Sequence, residues 1–337
     1  MTSTEEGPFA IDSALWSDFL AGRRLACARL ISLVENVPES VPEIRDRLIP
    51  LQKGGVRIGI TGPPGVGKST VTASLARRFL KAGRSVGIIA VDPSSPFTGG
   101  AFLGDRVRMQ SVLDDDRVFI RSLASRSGRG GLSPATPFAA DVLDAFGMDR
   151  ILIETVGVGQ TELDVLDCSD LVVLVLQPAT GDVIQALKAG ILEIADLFLI
   201  NKSDLPGAES LLDSLRFLFE ISARRDGAAA PPVLVASALK DQGVDEVHAA
   251  LESRIGELAA SGRFEEKKRR RMEREIRDAI RDCLWERYSA LAGVNDDIPA
   301  LSAELVRTGR SPYPAIRALC RTISLDAGEE TEGRTKP

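Results

Sequence analysis

The stretch GPPGVGKST at residues 62–70 stands between an apolar run, VRIGI, and a helix-forming segment, TVTASLARRFLKAG. In that setting Gly62-x-x-x-x-Gly67-Lys68-Ser69 has the form of a phosphate-binding loop, which works only where a buried strand feeds the first turn of a helix. Its backbone N–H groups converge on phosphate oxygens, and the helix start adds the positive end of its dipole. On this reading Gly62, Pro63, Pro64, Gly65, Val66, Gly67, Lys68, Ser69 and Thr70 line the phosphate site. Lys68 neutralises the β- and γ-phosphates, and the Ser69 hydroxyl is the expected Mg²⁺ ligand.

Six further apolar runs follow: VGIIAV, RVFIRSL, ILIE, LVVLVL, LFLIN and VLVA. Strands this uniformly apolar are buried on both faces, which predicts an α/β fold of the P-loop NTPase type, a mainly parallel sheet flanked by helices. Ahead of the sheet, helix-period positions (Leu15, Phe19, Leu30, Ile31, Val34) and a proline-punctuated stretch predict a helical extension over 1–50. The P-loop domain is expected over 51–258, a second helical extension over 259–325 and a disordered tail over 326–337. In the second extension Met272, Ile276, Ala279, Cys283 and, less cleanly, Arg287 recur at alternating steps of four and three, beside Ile280 and Leu284. That is a seam for packing, in cis or on a partner chain. The basic run at 267–271 is flanked by Glu265, Glu266, Glu273 and Glu275 and reads as a solvated helix face.

The 337 residues, 44% hydrophobic and 27% charged, suffice for one large core with helical additions. A net charge of −6 argues against nucleic acid or an anionic membrane as the main partner. Cys27, Cys168, Cys283 and Cys320 lie far apart, so neither a disulfide framework nor a zinc site is expected. The acidic start MTSTEEGPFAID lacks the pattern of a secretory or transit peptide, and no apolar run approaches a membrane span, so a cytoplasmic protein is expected. The one histidine, His248, sits in a helical EVHAAL and reads as a packing or surface residue.

A phosphate loop of this kind needs a strand-end acid near the metal. Glu154 ends ILIE, Asp92 follows VGIIAV, and Asp105 in FTGGAFLGDRVRM is a third candidate. Each could instead cap a helix or order a loop. The nucleotide base is read from LFLINKSD, which ends a later strand with Asn201, Lys202, Ser203 and Asp204. A carboxylate accepts two hydrogen bonds at once from the N1–H and exocyclic amine of guanine, a donor pair that adenine lacks. Asp204 is that acceptor, Lys202 lies along the base, and Asn201 ties this loop to the phosphate loop. Ser237, Ala238 and Leu239 follow the last strand as a second base loop. GTP or GDP with Mg²⁺ is therefore the expected ligand, with no tightly bound organic cofactor. Val158 follows Gly157 where related GTPases place a water-orienting glutamine, and Gln160 is out of register, so intrinsic hydrolysis is expected to be slow and accelerated by a partner or a second protomer.

Taken in order, GPPGVGKST, VDPSSPFTGGAFLGDRVRM, ETVGVGQ, QPATGDVIQ and NKSD closely resemble the MeaB/ArgK family of P-loop GTPases, over essentially the whole chain. The resemblance implies association with methylmalonyl-CoA mutase, an adenosylcobalamin enzyme, with gating of cofactor delivery and protection of the mutase. An adenosyltransferase is a further expected partner, and dimerisation through the C-terminal extension is also implied. By the family motif Asp92, Asp105 and Glu154 surround Mg²⁺ and water, with Lys68 among the catalytic groups. The segment at 177–188, with Gln177, Asp182, Gln185 and Lys188, is expected to be a switch that couples nucleotide state to the mutase, the alternative being a plain strand-to-helix connection. A kinase of basic-amino-acid transport ranks second. A metal-insertion GTPase is disfavoured, for want of histidine and paired cysteine ligands.

Overall fold

A computed structural model describes residues 12–93, 115–125, 132–155, 161–178, 195–226, 230–289 and 294–322. All seven apolar runs form strands: β1 (Val56–Thr61), β2 (Val86–Pro93), β3 (Val118–Ser125), β4 (Arg150–Glu154), β5 (Leu171–Leu176), β6 (Leu197–Ile200) and β7 (Val233–Val235). They form one sheet in the order β3-β2-β4-β1-β5-β6-β7. Every pairing is parallel. The helices among the described residues are α1 (Ser13–Leu20), α2 (Arg24–Asn36), α3 (Val41–Leu48), α4 (Lys68–Lys81), α5 (Thr136–Phe146), α6 (Thr161–Cys168), α7 (Ala208–Asp226), α8 (Val244–Ala260), α9 (Arg263–Ser289), α10 (Val294–Thr308) and α11 (Tyr313–Thr322).

Alternate strand residues point to opposite faces, so the sheet feeds two cores. Ile151, Ile153, Val172 and Leu174 join a core built from α2, α3 and α5, with Leu30, Ile31, Ile44 and Leu143. Leu152, Val173, Ile58 and Ile60 face α4 and α8, with Leu75, Phe79, Val247 and Leu251. His248 packs edge-on against Phe79, 4.9 Å between ring centroids, as expected of a packing residue. Burial pushes its pKa down, so it rests there neutral.

The chain divides into two compact units, Met1–Lys268 and Arg269–Pro337. In the first, the N-terminal helices share the core of the sheet. An ionic network holds them at the sheet's amino edge. Asp141 on α5 accepts from Arg57 of β1 at 2.6 Å and from Gln52 at 2.8 Å, and it lies 3.2 Å from Arg45 of α3. Arg57 is buried, which works against its charge, yet Asp141, Asp170 and Asp144 hold it firmly protonated. Lys267 departs from the solvated face expected of the basic run. Its ammonium donates to the Asp170 carbonyl and lies 3.4 Å from Asp196, because both groups start strands at this same edge.

In the second unit, Leu284, Trp285 and Tyr288 of α9, Ile298, Leu301 and Leu305 of α10 and Ile316 of α11 line a groove of about 770 Å³. Met272, Ile276, Ile280 and Leu284 remain exposed along α9. No helix among the described residues is long and apolar enough to cross a membrane.

Candidate nucleotide site

The expected site residues lie on loops at the carboxyl edge of the sheet, where ligands bind in open α/β folds. The phosphate loop runs from β1 to α4. Gly62 has φ 142° and sits so close to β5 that a Cβ would overlap the Val175 carbonyl. Gly67, at φ 93°, caps α4, and a Cβ there would fall 2.6 Å from Asn201 Nδ2. Both positions need glycine for space as well as for conformation. Inside the turn, Lys68 Nζ donates to the carbonyls of Gly62 at 2.8 Å and Pro63 at 3.0 Å, which stations a buried positive charge at the loop.

In the first turn of α4, the Ser69 hydroxyl donates to Glu154 Oε1 at 2.6 Å. The Thr72 hydroxyl, with one proton to give, lies 2.9 Å from the Lys68 carbonyl and 3.1 Å from Glu154 Oε2. Glu154 is 6% exposed and level with Ile60 of β1 and Ala90 of β2. This buried carboxylate, with a hydroxyl on one of its oxygens, is a hard oxygen donor set of the kind Mg²⁺ takes. Asp92 stands two residues further along β2 than Ala90, nearer its carboxyl end. Asp105 lies outside the described residues, as do Gly157, Val158 and Gln160.

The base loops meet the phosphate loop through two side chains, Asn201 and Lys202. Asn201 Nδ2 donates to the Val66 carbonyl at 2.8 Å, while its Oδ1 accepts from Ala238 N at 3.0 Å. Lys202, held at a left-handed φ of 57°, donates to the Gly65 carbonyl at 2.6 Å. Asp204 Oδ1 accepts from the Ser237 hydroxyl at 2.7 Å. That bond, reinforced by Lys240, lowers the Asp204 pKa and keeps its carboxylate ionised. Ser237 and Ala238 are buried, whereas Leu239 is 85% exposed.

Structure thus brings together Lys68, Ser69, Glu154, Asn201, Lys202, Asp204 and the 237–239 turn. Gln177 follows β5 with a buried Oε1 that has no hydrogen-bond partner among the described residues. Asp182, Gln185 and Lys188 lie outside the described residues. Sequence reasoning missed Thr72, although it stands four residues after Lys68 and so on the same helix face. It also missed Arg78. The buried Arg78 guanidinium donates to Asp241 and, at 3.1 Å, to Asp245, pinning the second base turn onto α4.

The family model "Methylmalonyl Co-A mutase-associated GTPase MeaB" matches residues 27–292. A relative from Pyrococcus abyssi is 47% identical over 261 residues, covering 77% of this chain and 81% of its own length. The mouse protein "Methylmalonic aciduria type A homolog, mitochondrial" is 31% identical over 326 residues, covering 92% of this chain and 79% of its own. Among solved structures, a "LAO/AO transport system kinase" superposes with a TM-score of 0.68 at 26% identity, covering 93% of this chain and 99% of that one.

Proposed function

This chain belongs to the MeaB family of methylmalonyl Co-A mutase-associated GTPases, and from that premise we propose that it hydrolyses GTP as a chaperone of methylmalonyl-CoA mutase. In this role it binds the mutase, gates the delivery of adenosylcobalamin and protects the mutase from inactivation, with an adenosyltransferase as a further partner. The observation that carries the reading is the family match over 27–292, which spans the phosphate loop, Glu154 and both base loops. The similarity to the mouse relative, whose name links it to methylmalonic aciduria, supports the same direction.

In this proposal the loop amides and Lys68 hold the phosphates and neutralise charge that builds on the β–γ bridge as GTP and water become GDP and phosphate. Asp204 accepts the guanine N1–H and amine. Mg²⁺, held at Ser69 with Glu154, Asp92 and Asp105 around it, supplies further neutralisation of the phosphate oxygens when bound. Glu154 orients the Ser69 hydroxyl through the bond already described. Without a glutamine after Gly157, water is poorly positioned, so the chain hydrolyses slowly alone. Gln177, Asp182, Gln185 and Lys188 pass the nucleotide state to the mutase. Two copies associate through the exposed stripe of α9 and the groove beside it.

GTP turnover, measured for the chain alone and with an adenosylcobalamin-dependent mutase, tests this. The expected result is slow basal turnover that the mutase accelerates severalfold, with acceleration reduced in Asp182→Ala, Gln185→Ala and Lys188→Ala. Absence of both acceleration and a nucleotide-dependent complex would sink the mutase reading. The likeness to the solved transport system kinase favours a second reading, a kinase of basic-amino-acid transport. Transfer of labelled γ-phosphate to a transport protein instead of to water would select it.

A further inference from the structure

Asp204 is held from two sides. Ser237 occupies Oδ1 at 2.7 Å, and Lys240 Nζ lies 3.2 Å from Oδ2. An ionised carboxylate offers about four lone-pair sites, two on each oxygen. Ser237 and Lys240 engage different oxygens, with the Asp204 backbone N–H as a further donor to the carboxylate, and a donor pair such as guanine N1–H and its amine asks for one bond to each oxygen. From this geometry we propose that Lys240 is a positioning residue for base selection: with Ser237 it fixes the plane of the Asp204 carboxylate so that both oxygens are presented together to the purine edge. The proposal rests on the guanine reading above and adds a residue to it.

Lys240 is itself fixed in place. Its backbone N–H donates to the Ser237 carbonyl at 3.1 Å. The next residue, Asp241, takes a left-handed φ of 59°, a conformation that Asp adopts more readily than most non-glycine residues. Arg78 of α4, whose side chain is 5% exposed, donates to Asp241 and Asp245 and so anchors this turn on the helix. The Ser74 hydroxyl, also on α4, donates to the Ala238 carbonyl at 3.3 Å. The helix that begins at the phosphate loop therefore sets where the lysine stem starts. On the other side, Ser203 N donates to the Ala236 carbonyl at 3.1 Å, which fixes the backbone beside Asp204. A carboxylate held by Ser237 alone would be free to turn about its last torsion, and a turned carboxylate meets one donor of guanine well and the other poorly.

The test compares the full-length wild type with Lys240→Met and Lys240→Arg. Affinities for GDP, IDP and ADP are measured by calorimetry at low and high salt, with thermal melting as a check on folding. IDP lacks the exocyclic amine and asks for only one of the two Asp204 bonds. An exposed ion pair contributes little, so Lys240→Met should weaken GDP only about fivefold and IDP less, lowering the GDP-to-IDP preference. Lys240→Arg keeps a donor and should restore the preference. The loss in Lys240→Met should shrink at high salt, where the wild-type pair is screened. Unchanged GDP affinity and preference in Lys240→Met would overturn the proposal. So would tighter GDP binding, since the lysine would then be competing with the base. Equal weakening of GDP and IDP with a lowered melting temperature would reduce Lys240 to a structural residue and overturn it as well. A wild type that binds ADP as tightly as GDP would instead overturn the guanine reading, and this proposal with it.

Discussion

Glu154 is buried, with the Ser69 hydroxyl bonded to one of its oxygens and the Thr72 hydroxyl 3.1 Å from the other. Replacing it with glutamine keeps the shape and an acceptor oxygen but removes the charge. We expect Glu154→Gln to lower single-turnover GTP hydrolysis by about 100-fold, the scale on which one preorganised electrostatic group acts. GDP affinity should fall far less, because much of it comes from the loop amides and Lys68. Stopped-flow phosphate release and GDP calorimetry measure the two effects, and unchanged hydrolysis would remove Glu154 from the mechanism. A strand-end glutamate in ILIE was legible from the sequence, and so were Lys68, Asn201 and Asp204 in their motifs. Thr72 and Arg78 were not. Their partners, Glu154 and Asp241, lie 82 and 163 residues away, and nothing local distinguishes such residues from ordinary members of an amphipathic helix.

At the scale of elements, the seven strands were readable because burial on both faces demands an unbroken apolar run. Their order was not. Placing β4 between β1 and β2 depends on which crossovers pack, and the apolar runs carry the same signal whichever neighbour they have. The amino-edge network was equally hidden, since Arg57 reads as a lone charge inside an apolar run until Asp141 of α5 is set beside it. Removing one member of a buried pair strands the other charge. Asp141→Ala should therefore destabilise the fold by about 3 kcal/mol, because Arg57 loses its closest anion and Arg45 of α3 is released as well. Urea unfolding of the nucleotide-bound protein gives the value, and a loss below about 1 kcal/mol would mean that water or a neighbouring acid takes over.

For the whole molecule, the second unit presents Ile276, Ile280 and Leu284 at about half exposure on α9, an apolar stripe among the described residues. If a second copy covers it, Ile280→Asp with Leu284→Asp should convert dimers to monomers in sedimentation while leaving GDP binding in the first unit intact. A wild type that sediments as a monomer at every concentration would rule this out. Within the first unit, the Asn201 amide bridges the two halves of the nucleotide site, holding the Val66 carbonyl of the phosphate loop with one end and the Ala238 amide of the base turn with the other. Base and phosphate therefore do not contribute independent increments to affinity. Ordering either loop lowers the entropy left to lose at the other, so guanosine and pyrophosphate, offered as separate molecules, should each bind more tightly when the other is present.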